Sequence, residues 1–396
     1  MGGCISSGEG LMRATVAMID LDALEWNVAR VRMRAAGKAV LGMVKANAYG
    51  HGMIEVARVL EELGLDVLGT AFVDEAVALR KAGISAPILV LTPIEHQEID
   101  AVVEHDLITV ACDLDGVQAL SDCAQRRARR VSVHLYVDTG MLREGFRPQE
   151  AIEAARQIRR MPGVCLDGLC THFATADEPA STFLREQLST FEQTHRQLVD
   201  DGCTFVWVHA ANTGALWQAS DSHYTLVRPG IAIYGYDHAL GDEMTLRPVM
   251  SIRSRVVSKR RAWPGDTVSY GRRYMVSTET TIVTVPIGYG DGYLRGLSGH
   301  AQCIIGGRRY PIVGSICMDE LMVDVGDAPI EIGSDVVLLG MQATADGHVE
   351  SIDAVELATW AGTIPYEITT AISARVPRTY IGGSAHQASS APTDLR

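Results

Sequence analysis

Eight short apolar runs punctuate the first 235 residues: VLGMV (40–44), VLGTAF (67–72), PILVLT (87–92), LITVAC (107–112), VSVHLYV (131–137), CLDGLCTHF (165–173), FVWVHAA (205–211) and LVRPGIAIYG (226–235). Runs this short and this continuously apolar read as strands buried on both faces. Between most of them, apolar residues recur at helical spacing, as in IEVARVLEELG (54–64), DEAVALRKAG (74–83), QEAIEAARQIRR (149–160) and STFLREQLSTFEQTHRQLVDDG (181–202). Strand and helix alternating about eight times predict a (β/α)8 barrel of the TIM type. An open doubly wound sheet would usually have fewer strands and a G-x-G-x-x-G after the first, a motif this chain lacks.

Past about residue 245 the texture changes. SIRSRVVSKRRA (251–262) alternates apolar and polar positions, and TTIVTVPIG (280–288) is β-branched. CIIGGRRYPIV (303–313) sets a Gly-Gly turn between two strand-like runs, a hairpin signal. ELMVDVG (320–326) and DVVLLG (335–340) follow. These predict a mostly antiparallel β-domain over 246–380, after a barrel over 16–245. Two helical stretches close it, SIDAVELATWAG (351–362), with Ser351 as the expected N-cap, and IPYEITTAISARV (364–376). The opening strand VAMIDL (16–21) suits either domain. Residues 1–12 and 382–396 are expected to be disordered, the latter being rich in Ser, Ala and Gly.

Composition narrows the class. A chain of 396 residues exceeds one typical core, so two domains fit. No apolar run approaches the ~20 residues that span a bilayer. The start lacks a basic region followed by an apolar stretch, so a cytoplasmic location is expected. Net charge is 35 − 48 = −13, which argues against nucleic acid or an anionic membrane as partner. The RRARR cluster at 126–130 reads as a solvated loop. Eight scattered cysteines show no C-x-x-C and no Cys/His spacing suited to zinc, so reduced thiols and no metal are expected.

Lysine usage points to chemistry. Of 35 basic residues only Lys38, Lys45, Lys81 and Lys259 are lysine. Unlike arginine, lysine can lose its proton when desolvated and form a Schiff base with an aldehyde. Lys45 ends the first apolar run, and barrel catalytic residues lie at the C-terminal ends of strands. His172 ends the sixth strand, Asn212 and Thr213 the seventh, and Arg228 and Gly230 sit in the eighth strand and just past it. The loops after strands seven and eight are a common phosphate site, where Thr213, Gly230 and Ile231 offer a hydroxyl and backbone N–H groups. A Schiff-base lysine facing a phosphate site implies pyridoxal 5′-phosphate (PLP).

The strings VKANAYGHG, DTGMLREG, THFATADE, HAANTGA, VRPGIAIYG, VSYG, PIGYGDG, ICMDE and ISARVPRTY occur in that order between about Val16 and Tyr380. Together they resemble the motif series of the bacterial alanine racemase family. The resemblance implies PLP-dependent interconversion of L- and D-alanine, with supply of D-alanine for peptidoglycan as one role and L-alanine catabolism as another. Lys45 would hold PLP covalently and act as one acid/base group. Tyr270 would be the other, from the partner subunit of a homodimer. His172 and Arg228 would support Tyr270, with Arg228 also facing the pyridine nitrogen. Tyr49, Thr213, Gly230, Ile231 and Tyr366 would hold the phosphate. Arg143 and the Met318 backbone N–H would meet the substrate carboxylate, and Tyr289 would line the entrance. The chemistry demands this division: PLP supplies an electron sink, and inverting a centre needs a base on one face and an acid on the other.

The chain departs from the family in places. Many members carry, two residues before DTG, a lysine whose carbamate braces the arginine matched here by Arg143. This chain has Tyr136, so a bound anion or the phenol itself is expected to hold Arg143. Ser315 stands where an arginine is frequent, and Thr213 where serine is usual. A broader amino-acid racemase acting on serine is the alternative function, since excluding one extra atom is worth only ~1–3 kcal/mol. A non-catalytic PLP-binding protein would lack residues 246–380 and Tyr270.

Overall fold

The computed structural model describes residues 13–178, 180–236, 245–344 and 346–383. They form two compact units, one over Ala23–Arg247, the other joining the stretch up to Asp22 to that from Pro248. In the first, eight parallel strands run in chain order: Ala39–Met43, Val67–Thr70, Ile88–Val90, Ile108–Ala111, Val131–Tyr136, Val164–Cys170, Trp207–His209 and Leu226–Val227. Each falls within or beside one of the eight apolar runs. The first strand pairs with both the second and the eighth. Thr225 N donates to Val208 O at 3.1 Å and Arg228 N to Ala211 O at 2.8 Å, which brings the eighth strand to the seventh and closes the ring. Leu41, Leu68, Leu89, Leu135 and Leu169 are fully buried, as continuous apolar runs between a filled interior and a helical shell require.

The helices Met53–Glu62, Val73–Lys81, Pro148–Ile158 and Phe183–Asp200 stand where apolar periodicity places them. Ile99–Glu104 is too short to show a period. Among the described residues no helix is long and apolar enough to cross a membrane.

The second unit is a ten-stranded sheet. Its main path runs Ser258–Ala262, Thr280–Val285, Leu321–Gly326, Arg308–Val313, Gln302–Ile305, Asp335–Ala343, Met250–Arg255, Val16–Asp20, Arg378–Ile381, with Val349–Ile352 also paired to Asp335–Ala343. Every pairing is antiparallel except Val16–Asp20 with Arg378–Ile381. The opening strand therefore lies in this sheet, outside the barrel, although a barrel over 16–245 was the expectation. The Gly-Gly hairpin is present, with Gly306 and Gly307 at φ 61° and 75°. The cap of helix Ala354–Ala361 is Asp353, whose carboxylate accepts from Glu356 N at 2.8 Å. Ser351, the expected cap, instead belongs to strand Val349–Ile352. The termini expected to be disordered fall outside the described residues, save Gly382 and Gly383; Gly383 N donates to Asp22 Oδ1 at 2.8 Å.

Candidate active site

Lys45 stands two residues past the first barrel strand, half-buried. Glu75 fixes the backbone there: Oε1 accepts from Ala46 N at 2.7 Å and Oε2 from Ala71 N at 2.9 Å, tying the ends of strands one and two together. Ala46, Asn47, Ala48 and Tyr49 then follow with φ of 51°, 55°, 53° and 52°. This is a left-handed helical turn, which opposes L-residues by about 1–2 kcal/mol each. Its hydrogen bonds, Ala48 N to Val44 O at 2.8 Å and Gly50 N to Ala46 O at 3.0 Å, help to hold it. Asn47 adds its own, with Oδ1 accepting from Met53 N at 2.9 Å. The turn buries Tyr49 against Tyr234, ring centroids 4.9 Å apart, and lays its hydroxyl over Gly230. A Cβ at Gly230 would collide with that hydroxyl and push the Tyr49 ring aside. Gly230 N donates to Thr213 Oγ1 at 3.0 Å, which leaves the threonine O–H to donate. Asn212 begins the helix Thr213–Gln218 and caps it, its Oδ1 accepting from Ala215 N at 3.1 Å.

Arg228 is the hub of the barrel mouth, 6% exposed. Nη1 donates to His209 Nδ1 at 2.7 Å; Nη2 donates to Thr171 O at 2.8 Å and reaches His172 Nδ1 at 3.4 Å. Among the described residues nothing accepts from its Nε–H. A guanidinium can only donate, so it dictates tautomers. His172 and His209 accept through Nδ1 and carry their protons on Nε2. His209 Nε2–H then donates to His134 Nδ1 at 2.8 Å, and the His134 proton sits on Nε2, 3.9 Å from Asp167 Oδ1.

Burial, then the charge of Arg228, lowers the pKa of both His134 and His209, the former to about 3. His172 keeps some exposed surface, yet burial, then Arg228 and Arg143, push it to about 3 as well. The ordinary value is 6.5, so the unfolded chain takes up these protons first as pH falls. The stabilisation is complete above 6.5 and is lost progressively toward about 3. Tm is therefore expected to drop by several degrees between about pH 8 and about pH 5, and replacing buried His134 with a non-titrating residue should flatten that slope. A slope unchanged by the replacement would contradict the account.

Lys45 has its pKa lowered by burial, then by Arg143 and Arg228, while Glu75 and Glu144 pull the other way. Arg143 lies in the loop after the fifth strand. Its Nε and Nη2 donate to Glu144 Oε1 at 3.1 and 2.9 Å. Burial opposes its charge, but Glu144 and Tyr136 hold its pKa up. The buried Tyr136 hydroxyl takes no hydrogen-bond partner among the described residues. The Glu144 carboxylate is thus the foremost hold on Arg143, and the phenol expected there lies beside it as the second.

The remaining sequence-selected residues lie on the β unit. Tyr270 opens a turn at the tip of a small ribbon, Thr267–Val268 with Tyr274–Met275, and is 74% exposed. Ser315 Oγ donates to Tyr270 O at 2.9 Å, and Ser269 Oγ donates to Ser315 O at 2.6 Å. Tyr289 N donates to Cys317 O at 3.0 Å and Gly290 N to Met318 O at 2.9 Å. Segment 315–318 therefore gathers Tyr270, Tyr289 and Met318 into one group. Tyr366 sits apart on helix Pro365–Thr370. On the barrel, Lys45, Tyr49, Arg143, His172, Thr213, Arg228, Gly230 and Ile231 converge at the strand ends. Sequence reasoning missed Glu75, Glu144, His134 and His209. A C-terminal strand position marks His209; the rest carry no sequence signal.

Comparison with known proteins agrees with this architecture. The family model described as alanine racemase, N-terminal domain, matches residues 19–238, and that described as alanine racemase, C-terminal domain, matches 249–380. The alanine racemase of Symbiobacterium thermophilum is 41% identical, covering 94% of this chain and 99% of its own. The crystal structure of alanine racemase from the D-cycloserine producer Streptomyces lavendulae superposes with a TM-score of 0.89 at 34% identity, over 95% of this chain and 99% of that one. Alanine racemase from Bartonella henselae, solved with covalently bound pyridoxal phosphate, gives 0.84 at 28% identity, over 93% and 99%. A barrel with a lysine at its mouth, a β-domain bearing the tyrosine motifs, and matches that span both units lead to one assignment: the chain belongs to the alanine racemase family.

Proposed function

We propose that the protein interconverts L-alanine and D-alanine with PLP, using Lys45 and the partner subunit's Tyr270 as the two acid/base groups. The observation that carries this reading is Lys45 itself, at a barrel strand end, its proton loosened by burial and by two neighbouring arginines. The residues present suit PLP: an amine whose charge is disfavoured, a glycine-floored cradle with a spare hydroxyl proton at Thr213, and a donor at Arg228 Nε that no described residue takes up. PLP when bound supplies the electron sink that makes an amino-acid α-proton removable.

Lys45 would attach the cofactor. Tyr49, Thr213, Gly230, Ile231 and Tyr366 would hold its phosphate through hydroxyl and backbone N–H groups. Arg228 Nε–H would face the pyridine nitrogen. An arginine there does not readily give up a proton, which limits the ring's electron withdrawal and discourages side reactions. Arg143 and Met318 N–H would take the substrate carboxylate, with Tyr289 at the entrance. One base must remove the α-proton from one face while an acid delivers a proton to the other. Lys45 Nζ serves one face and the partner's Tyr270 hydroxyl the other. His172 Nε2–H would donate to that phenolate, and Arg228 would add its charge from behind. The same reading has the enzyme working as a cytoplasmic homodimer.

The test is L-alanine incubated with PLP-loaded protein in heavy water. Optical rotation is expected to decay to zero while deuterium enters Cα of both enantiomers, and L-serine should react far more slowly. Exchange that leaves the L-configuration intact would refute racemisation.

A further inference from the structure

The loop after the fifth barrel strand is fixed from within. Phe146 N donates to Tyr136 O at 2.9 Å and Asp138 N to Phe146 O at 2.8 Å, closing its neck. Asp138 Oδ1 accepts from Gly140 N at 2.9 Å and Leu142 N at 3.0 Å. Gly145, at φ 98°, lies so close to Tyr136 that a side chain there would meet its ring and carbonyl. The loop therefore holds Arg143 and Glu144 in one arrangement, and their side chains meet.

We infer that Glu144 is a positioning residue that presets Arg143 for the substrate carboxylate. A single oxygen, Oε1, takes both Nε–H and one Nη2–H, at 3.1 and 2.9 Å. Two of the five guanidinium protons are thereby occupied along one edge. The end face, with Nη1–H2 and the outer Nη2–H, is left as a fork of the shape a second carboxylate accepts.

Burial shows which partner is the anchor. The Glu144 side chain is 5% exposed and that of Arg143 is 52% exposed. The carboxylate is the walled-in member, and the arginine is the one that meets the mouth. Among the described residues no other carboxylate pairs with Arg143. A long side chain ordered before the substrate arrives loses little further freedom on binding. The pairing also offsets one charge where Lys45, Arg143 and Arg228 would otherwise crowd three cations.

The burial asymmetry makes the experiment feasible. Removing Glu144 leaves a half-exposed arginine, which water can solvate; removing Arg143 would strand a buried carboxylate. The inference rests on the reading of Arg143 as the carboxylate contact, so Arg143→Ala is the comparator. Glu144→Ala and Glu144→Gln are made in the full chain loaded with PLP. KM for L-alanine is measured with kcat, together with the inhibition constant of acetate, which has a carboxylate and nothing to racemise. In Glu144→Ala, KM and the acetate constant are expected to rise together by about tenfold, with kcat and PLP affinity little changed. Glu144→Gln, which keeps an acceptor oxygen, should fall between. If both Glu144 variants leave the two constants unchanged while Arg143→Ala raises them, the positioning role is overturned and the carboxylate contact stands. If Arg143→Ala leaves them unchanged too, the carboxylate reading itself fails. Loss of kcat or PLP binding with an unmoved acetate constant would also overturn the role.

Discussion

Lys45→Ala is expected to reduce racemisation by more than about 10⁴-fold and to release the cofactor on gel filtration. The expectation follows from where the other three lysines stand. Lys38 precedes the first barrel strand, at the end opposite the site. Lys81 ends the helix Val73–Lys81, and Lys259 pairs with Glu331 at 2.8 Å on the β unit. No second amine stands where Lys45 does, and the neighbouring cations are arginines that keep their protons. Lys45→Arg should be as inactive as alanine, because it restores the charge without the ability to lose it. Visible absorbance of the bound cofactor gives a readout independent of turnover. Visible absorbance that survives dialysis in Lys45→Ala and is then abolished by borohydride would place the attachment elsewhere.

The second large effect is complementation between two inactive variants. Tyr270→Phe loses the proposed second base but keeps Lys45; Lys45→Ala keeps Tyr270. If each site takes its lysine from one chain and its tyrosine from the other, a mixed dimer assembles one intact site and one doubly damaged site. Mixing the two variants under conditions of subunit exchange should then restore activity to one site of every mixed dimer. The 74% exposure of Tyr270 suits a side chain that acts on a neighbour. Exchange demonstrated by differently tagged subunits, with no recovery, would mean that each site is built within one chain. Tyr270→Phe alone should also separate the two substrate directions, slowing proton removal from one enantiomer more than from the other.

Much of this was legible before any coordinates. Strands buried on both faces write themselves as apolar runs, so all eight barrel strands were visible. Two adjacent glycines specify a tight hairpin, so Gly306 and Gly307 were visible too. Lys45 stood out because its residue type is rare in this chain. What stayed hidden depends on contacts between residues that look ordinary. His134 and His209 lie inside apolar runs and read as strand, since pattern does not record which side chains meet inside a barrel. Glu144 reads as a solvated charge beside an arginine; only the closed loop neck and Gly145 turn that neighbour into a buried brace. Ser351 and Asp353 are both good caps, and the choice fell to Asp353 because strand pairing extends through Ile352. Ala46 and Ala48 gave no hint of their left-handed backbone, since alanine is the strongest helix former of the ordinary hand.

The left-handed turn beside Lys45 is a mirror-image element. A φ of 51° at Ala46 and 53° at Ala48 is the reflection of an ordinary right-handed helix, so it is the relaxed conformation of a D-residue. D-alanine at either position would sit there without the about 1–2 kcal/mol that its L-form must bear. Handedness thus enters the site twice, once in the substrate carbon to be inverted and once in the wall beside Lys45. The backbone there is L-alanine held in the shape that D-alanine would choose.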